Sequence, residues 1–168
     1  PPRSTLFPYT TLFRSLTLAI AANHIHRLDL APVRDALNDG DKSALEQAVQ
    51  FKLDYPREEG DPRELSEIPE IRLWFLRLDS AYPWLPYALD WKEGELGRYT
   101  AMLVPHQFHP TDGIQFNPEA LELFVMQKLF VLAEWLPAQD ISARSRLQGL
   151  AQMLGYDIDD SFFDLISA

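Results

Sequence analysis

The chain contains no cysteine. Disulfide staples, thiolate catalysis and cysteine ligation of zinc or iron–sulfur clusters are therefore closed to it. Long uncharged apolar runs are missing as well: in the most apolar stretch, Phe116 to Pro137, Glu122, Lys128 and Glu134 hold every uncharged run to five residues or fewer. A membrane span, which needs about 20 mostly apolar residues in a row, is rejected on that ground. Positive charge is scarce, with 15 Lys and Arg against 25 Asp and Glu and a net charge of −10. That balance disfavours nonspecific binding to nucleic acid or anionic lipid; it suits a basic protein partner, or solubility alone. No phosphate loop, dinucleotide fingerprint or nucleophile-elbow glycine frame is found either.

The first fifteen residues, PPRSTLFPYTTLFRS, resemble the translation of a common sequencing adapter. Residues 1–15 are accordingly set aside as non-native, and 16–168 are expected to form a single globular domain. Because the excluded segment carries Arg3 and Arg14 and no acid, the remainder is more acidic still. With no signal peptide or span recognised after it, the expected home is the cytoplasm, or an organelle reached by a targeting segment.

Phe116 to Pro137 is the stretch around which the rest is arranged. Asn117 caps, Pro118 occupies the first helical position, Phe116 staples onto Leu121, and Pro137 ends the helix. Leu121, Phe124, Val125, Leu129, Leu132 and Leu136 recur at three- and four-residue steps, predicting a long buried helix over 118–136. Its water-facing stripe is Glu119, Glu122, Gln127 and Glu134, with Lys128 outside it.

Around this helix the pattern predicts an α+β fold, with a small antiparallel sheet packed against the helix and peripheral helices. Leu16 to Ala22 reads as a short strand. Asp29 caps a helix with Pro32 in its first turn, Asp41 caps a second, and Val49 to Tyr55 alternates as a strand. Pro56 to Pro69 is a surface loop. Ile71 to Asp79 is read as a strand, although Ile71, Trp74, Phe75 and Leu78 also fit a helical face. Tyr87 to Trp91 and Leu96 to Val104 then make a hairpin about Gly94. Pro105 to Asn117 is a loop, Asp140 caps a helix closed by Gly155, and Asp160 to Ile166 forms a last amphipathic turn.

The four histidines come in two pairs, His24 with His26 and His106 with His109. If the pairs met, they would make a metal site of the kind a metal-dependent hydrolase uses; surface or capping histidines are the plainer reading. Asp157, Asp159 and Asp160 lack the glycine and distal glutamate of a calcium loop and read as helix caps. Tyr82-Pro83-Trp84-Leu85-Pro86 differs in kind. A proline-fixed loop bearing Tyr and Trp offers large apolar area at low entropy cost, as a protein-binding hot spot requires, unless Trp84 turns inward as a core plug.

The strings Asp54 to Asp79 (DYPREEGDPRELSEIPEIRLWFLRLD), Tyr82 to Pro86 (YPWLP), Ala101 to Phe108 (AMLVPHQF) and Phe116 to Leu136 together resemble the chlororespiratory reduction 6 family of cyanobacteria and chloroplasts. The similarity spans roughly Leu28 to Leu136. It implies a maturation factor, not an enzyme, with no cofactor of its own. The implied client is the I subunit of the photosynthetic NAD(P)H dehydrogenase-like complex, a ferredoxin-type iron–sulfur protein. It also implies a cyanobacterial cytoplasm or a plastid stroma as the compartment. The expected contact residues are Tyr82, Pro83, Trp84 and Pro86, with His106, Gln107 and Phe108 on the following loop.

Overall fold

A computed structural model describes residues 15–37, 48–142 and 144–166. The helix expected to begin at Asp41 lies outside them as far as residue 47, and its last expected inward residues, Ala48 and Val49, lie on a strand and not on a helix. Strand β1 (Ser15–Ala21) opens the described chain, followed by α1 (Ala22–His26), α2 (Ala31–Leu37) and strand β2 (Ala48–Asp54). β1 and β2 pair in parallel from Ser15↔Ala48 to Ala21↔Asp54. Ser15, the last residue of the segment set apart by its sequence, is thus the first residue of a strand. Asp29 lies one residue ahead of the cap position, which Leu30 holds, and its Oδ1 accepts from Ala31 N at 2.9 Å, satisfying the first N–H of α2.

Ile71 to Asp79 is not a strand. It lies within α3 (Pro69–Ala81), which starts on Pro69 in the first helical position and buries Ile71, Trp74, Phe75 and Leu78. These positions sit at i, i+3, i+4 and i+7 and form one stripe. The expected hairpin of 87–104 is also absent among the described residues. In its place are α4 (Leu85–Ala88) and α5 (Glu95–Leu103). Gly94 has the positive φ (76°) a turn would use, but it serves as the N-cap of α5. α5 buries Leu96, Tyr99, Thr100 and Met102, and α3 packs on it through Phe75 and Tyr99, ring centroids 5.9 Å apart.

The antiparallel sheet comes instead from the expected loop after Val104. Strands β3 (His106–His109) and β4 (Gly113–Phe116) pair from His106↔Phe116 to His109↔Gly113. A three-residue connection then meets Gly113 at φ 74°, a hairpin geometry that calls for glycine at this place. The α+β class stands, with the small antiparallel sheet moved.

Helix α6 (Pro118–Ala138) follows. Asn117 Oδ1 accepts from Ala120 N at 3.0 Å and Pro118 fills the first helical position. Pro137 lies inside the last turn and does not end the helix. The stop is made by Asp140 at φ 60°, with Asp140 N donating to Pro137 O and Ile141 N to Leu136 O, both at 3.0 Å. That six-to-one bond nested around a five-to-two bond is the Schellman arrangement, so Asp140 closes α6 and does not open the next helix. α7 (Arg144–Met153) and α8 (Asp160–Ile166) complete the chain. Gly155 closes α7 in the same way, and Asp159 caps α8 by accepting from Ser161 N and Phe162 N. Those hydrogen bonds, the Ser161 hydroxyl first, hold the Asp159 carboxyl below its ordinary range.

Phe51, Trp74, Phe75 and Tyr99 form the aromatic centre between β2, α3 and α5, with Phe51 and Phe75 centroids 5.3 Å apart. Trp74 Nε1 donates to Asp29 O at 2.9 Å, pinning α3 to the start of α2. α6 closes the opposite side through Phe124, Val125, Leu129, Leu132 and Leu136, all buried.

Candidate functional site

The aromatic loop begins where α3 must stop. Pro83 disfavours helical backbone at Tyr82, whose φ of −129° and ψ of 68° leave the helix. The chain turns and sets Trp84 flat against Trp135 of α6, with centroids 4.9 Å apart and the rings 1° from parallel. Tyr82 meets Trp84 edge-on at 6.0 Å. Tyr82, Pro83 and Trp84 are half-buried, so each keeps a face toward solvent, whereas Leu85 and Pro86 are buried. Pro86 therefore presents little surface to a partner. Its carbonyl accepts from Trp91 Nε1 at 2.9 Å and fixes the base of the loop.

The second group of residues sits on β3. His106 Nδ1 lies 2.9 Å from Val104 O, a carbonyl that can only accept, so the Nδ1 proton is on the ring. Nε2 is then left to accept from the hydroxyl of buried Ser66 at 3.0 Å. Both ring nitrogens are thus engaged, Nε2 tying the hairpin to the 3-10 turn Leu65–Glu67 and Nδ1 fixing the ring on the backbone just before β3. Phe108 packs edge-on against His106 at 5.0 Å. Gln107 and Phe108 face solvent. Beside them lies a concavity of about 310 Å³ lined by Pro105, His106, Gln107, Gln115, Phe116 and Asn117.

The two groups do not form one continuous patch. The hairpin feeds the N-terminal end of α6 at Asn117, and Trp84 rests on Trp135 near the other end; at 1.5 Å per residue, roughly 25 Å of helix separates them.

The four-histidine metal site is not assembled. His24 Nδ1 lies 3.4 Å from Asp29 Oδ2 and His26 Nε2 3.2 Å from Tyr55 OH. His106 is locked as above, and His109 Nδ1 faces the backbone N–H of Thr111 and Asp112. Each ring has its own partner, because α1 and the hairpin belong to different parts of the fold. Among the described residues, no group of three or more His, Cys, Asp or Glu stands close enough to hold a metal.

A polar constellation that the sequence reading passed over lies between these elements. Lys128 is fully buried on α6, and its Nζ donates to Asp79 Oδ1 at 2.7 Å and Oδ2 at 2.6 Å. Tyr99 OH donates to Asp79 Oδ1 at 2.6 Å. Burial pushes the Tyr99 phenol well above its ordinary value, and the Asp79 carboxylate adds to the effect. Three helices, α3, α5 and α6, thus meet at one carboxylate that is itself 14% exposed. The signal was present in the sequence, as a lone cation outside the polar stripe of an apolar helix and a lone acid ending the apolar run of α3.

No helix among the described residues is long and apolar enough to cross a membrane. A family model described as chlororespiratory reduction 6 matches residues 20–165, nearly all of this fold. No solved structure matches the chain.

Proposed function

From the premise that this chain belongs to the chlororespiratory reduction 6 family, a family of factors for assembly of the NAD(P)H dehydrogenase-like complex, we propose that it binds the iron–sulfur I subunit while that complex is being built. The observation that carries the reading is the family match, whose span of residues 20–165 takes in the aromatic loop, the hairpin and α6. The protein acts by holding its client, without a bound cofactor, in the cytoplasm of a cyanobacterium or the stroma of a plastid. Having no cysteine, it offers no thiolate to a cluster, which fits docking better than cluster donation. Its net charge of −10 favours a client with basic patches.

The contact residues are Tyr82, Pro83 and Trp84 at one end of α6, and Gln107 and Phe108 at the other. His106 positions the hairpin and Pro86 the loop. A client that touches both groups has to reach along the helix, a span of roughly 25 Å. The experiment is capture of the I subunit by the tagged chain from a cyanobacterial lysate during active synthesis, followed by mass spectrometry. Enrichment of that subunit over other ferredoxin-like proteins, reduced by Trp84→Ala and by Phe108→Ala, supports the reading. Its absence from the captured proteins refutes it.

A further inference from the structure

Along the N-terminal half of α6 lies a groove of about 370 Å³, walled by Leu76 of α3, by Leu103 at the end of α5 and Pro105 after it, and by Ala120, Leu123 and Phe124 of α6. The walls rise into solvent: Leu123 is 73% exposed and Leu76 51%. Large apolar side chains standing beside a concavity are the usual mark of a surface that is covered in a complex. Among the described residues Asp79 is the groove's only charged lining residue, and Lys128 already neutralises it. Pro105 also lines the concavity under the hairpin, so the groove continues toward His106 and Gln107.

The charge beside the groove decides what covers it. The only Lys or Arg of α6 is Lys128, which is buried. Its solvent stripe therefore reads Glu119, Leu123, Gln127, Phe130, Glu134, at steps of three and four residues. All five side chains are exposed. An acid stands at each end of an apolar centre, and no cation offsets either one from within the helix. The α3 wall is mixed: Arg77 is exposed and Arg72 is half-buried, with its Nε 3.3 Å from Met102 O.

We propose that this groove receives a cationic amphipathic helix of the client protein, its apolar face against Leu76 and Leu123 and its Lys or Arg residues toward Glu119 and Glu134. The inference rests on the reading that the protein binds a client, and adds where the client's helix lies and what chemistry selects it. The two acids are about 22 Å apart along α6. A matching helix therefore carries cations about four turns apart on one side of an apolar face.

The test uses the full chain and a synthetic Leu/Lys amphipathic peptide of about five helical turns, with its Leu/Glu counterpart, followed by fluorescence anisotropy. The Leu/Lys peptide is expected to bind and the Leu/Glu peptide to fail. Leu76→Ser with Leu123→Ser should weaken binding about tenfold or more, and Glu119→Lys with Glu134→Lys should do the same while reducing its salt dependence. Both pairs of sites are exposed, so an unchanged melting temperature verifies the fold. Equal binding of the two peptides, or undiminished binding by the double-serine variant, overturns the proposal. So does a wild-type dimer in sedimentation that the double-serine variant turns into monomer, because the groove then belongs to a second copy. If the I subunit is captured equally by wild type and the double-serine variant, the groove inference fails and the assembly reading stands. If wild type binds the cationic peptide at the groove but not the I subunit, the assembly reading fails and the groove's chemistry stands.

Discussion

The ammonium of Lys128 lies 2.6 Å from Oδ2 of Asp79, forty-nine positions away along the chain, with the lysine wholly out of water. A buried pair of this kind adds little stability over an apolar replacement, but its separation is expensive, because the remaining charge has no solvent to fall back on. Asp79→Asn, which strands the ammonium, is expected to cost about 3 kcal/mol or more. Lys128→Met leaves a carboxylate that still has Tyr99 and a partly open side, and should cost about 1–3 kcal/mol. The double variant should be more stable than Asp79→Asn alone. Urea denaturation of the three proteins measures this, and simple additivity would disprove the coupling.

Tyr99 makes stability fall at alkaline pH. Its folded-state pKa is raised by burial and by Asp79, so above pH about 10 the unfolded chain loses a proton that the folded chain keeps. The Tyr99 contribution is whole below that pH and declines as pH rises toward the folded value, by up to about 1.4 kcal/mol per pH unit. Tyr99→Phe removes this slope. Chemical denaturation between pH 9 and pH 11, comparing wild type with Tyr99→Phe, should show the steeper decline in wild type.

Trp84→Ala should cost about 0.5–1.5 kcal/mol beyond the area it uncovers, the worth of an aromatic pair. The cost arises from the stack on Trp135. Trp135→Ala should then lose less in a Trp84→Ala background than alone. Thermal melts of the four proteins in this cycle read the coupling directly, and independent effects would show that the stack contributes nothing.

Asn117→Ala removes the acceptor that satisfies Ala120 N at the start of α6. The expected loss is about 1 kcal/mol, with Asn117→Ser close to wild type because serine caps nearly as well. A larger loss in Asn117→Ser than in Asn117→Ala would contradict the cap assignment.

Arg146 lies over Trp91 at 4.1 Å and Tyr87 at 4.7 Å, and its Nη2 donates to Tyr87 O at 2.6 Å. It fastens α7 to α4 and to the turn after it. Arg146→Lys keeps the charge and loses the planar stack, so amide exchange in α7 should quicken while exchange in α3 stays unchanged.

α6, α2, α8 and β2 were legible in the sequence because each carries its own punctuation: a capping Asn or Asp, a proline in the first turn, or clean alternation. The α3 segment was not. Leu73 and Leu76 are each 51% exposed, and their presence makes IRLWFLRLD apolar at a period of two as well as of 3.6. Only the burial of Ile71, Trp74, Phe75 and Leu78 settles the period. Gly94 misled for a related reason, since a positive φ serves a helix N-cap as well as a hairpin turn. The candidate contact residues were found by composition, but their placement at opposite ends of α6 depends on tertiary packing, which no local pattern encodes. The same leucines that obscured α3 are those that stand exposed on its surface.

The parallel stack of Trp84 on Trp135 also has an optical consequence. Two indoles so close and so nearly coplanar couple their electronic transitions, and the strength of that coupling falls steeply as the rings part or tilt. The protein thus carries an intrinsic reporter at one end of its longest helix, readable in near-ultraviolet circular dichroism without a label. A client that presses on the aromatic loop changes that signal, and one that docks only at the hairpin leaves it untouched.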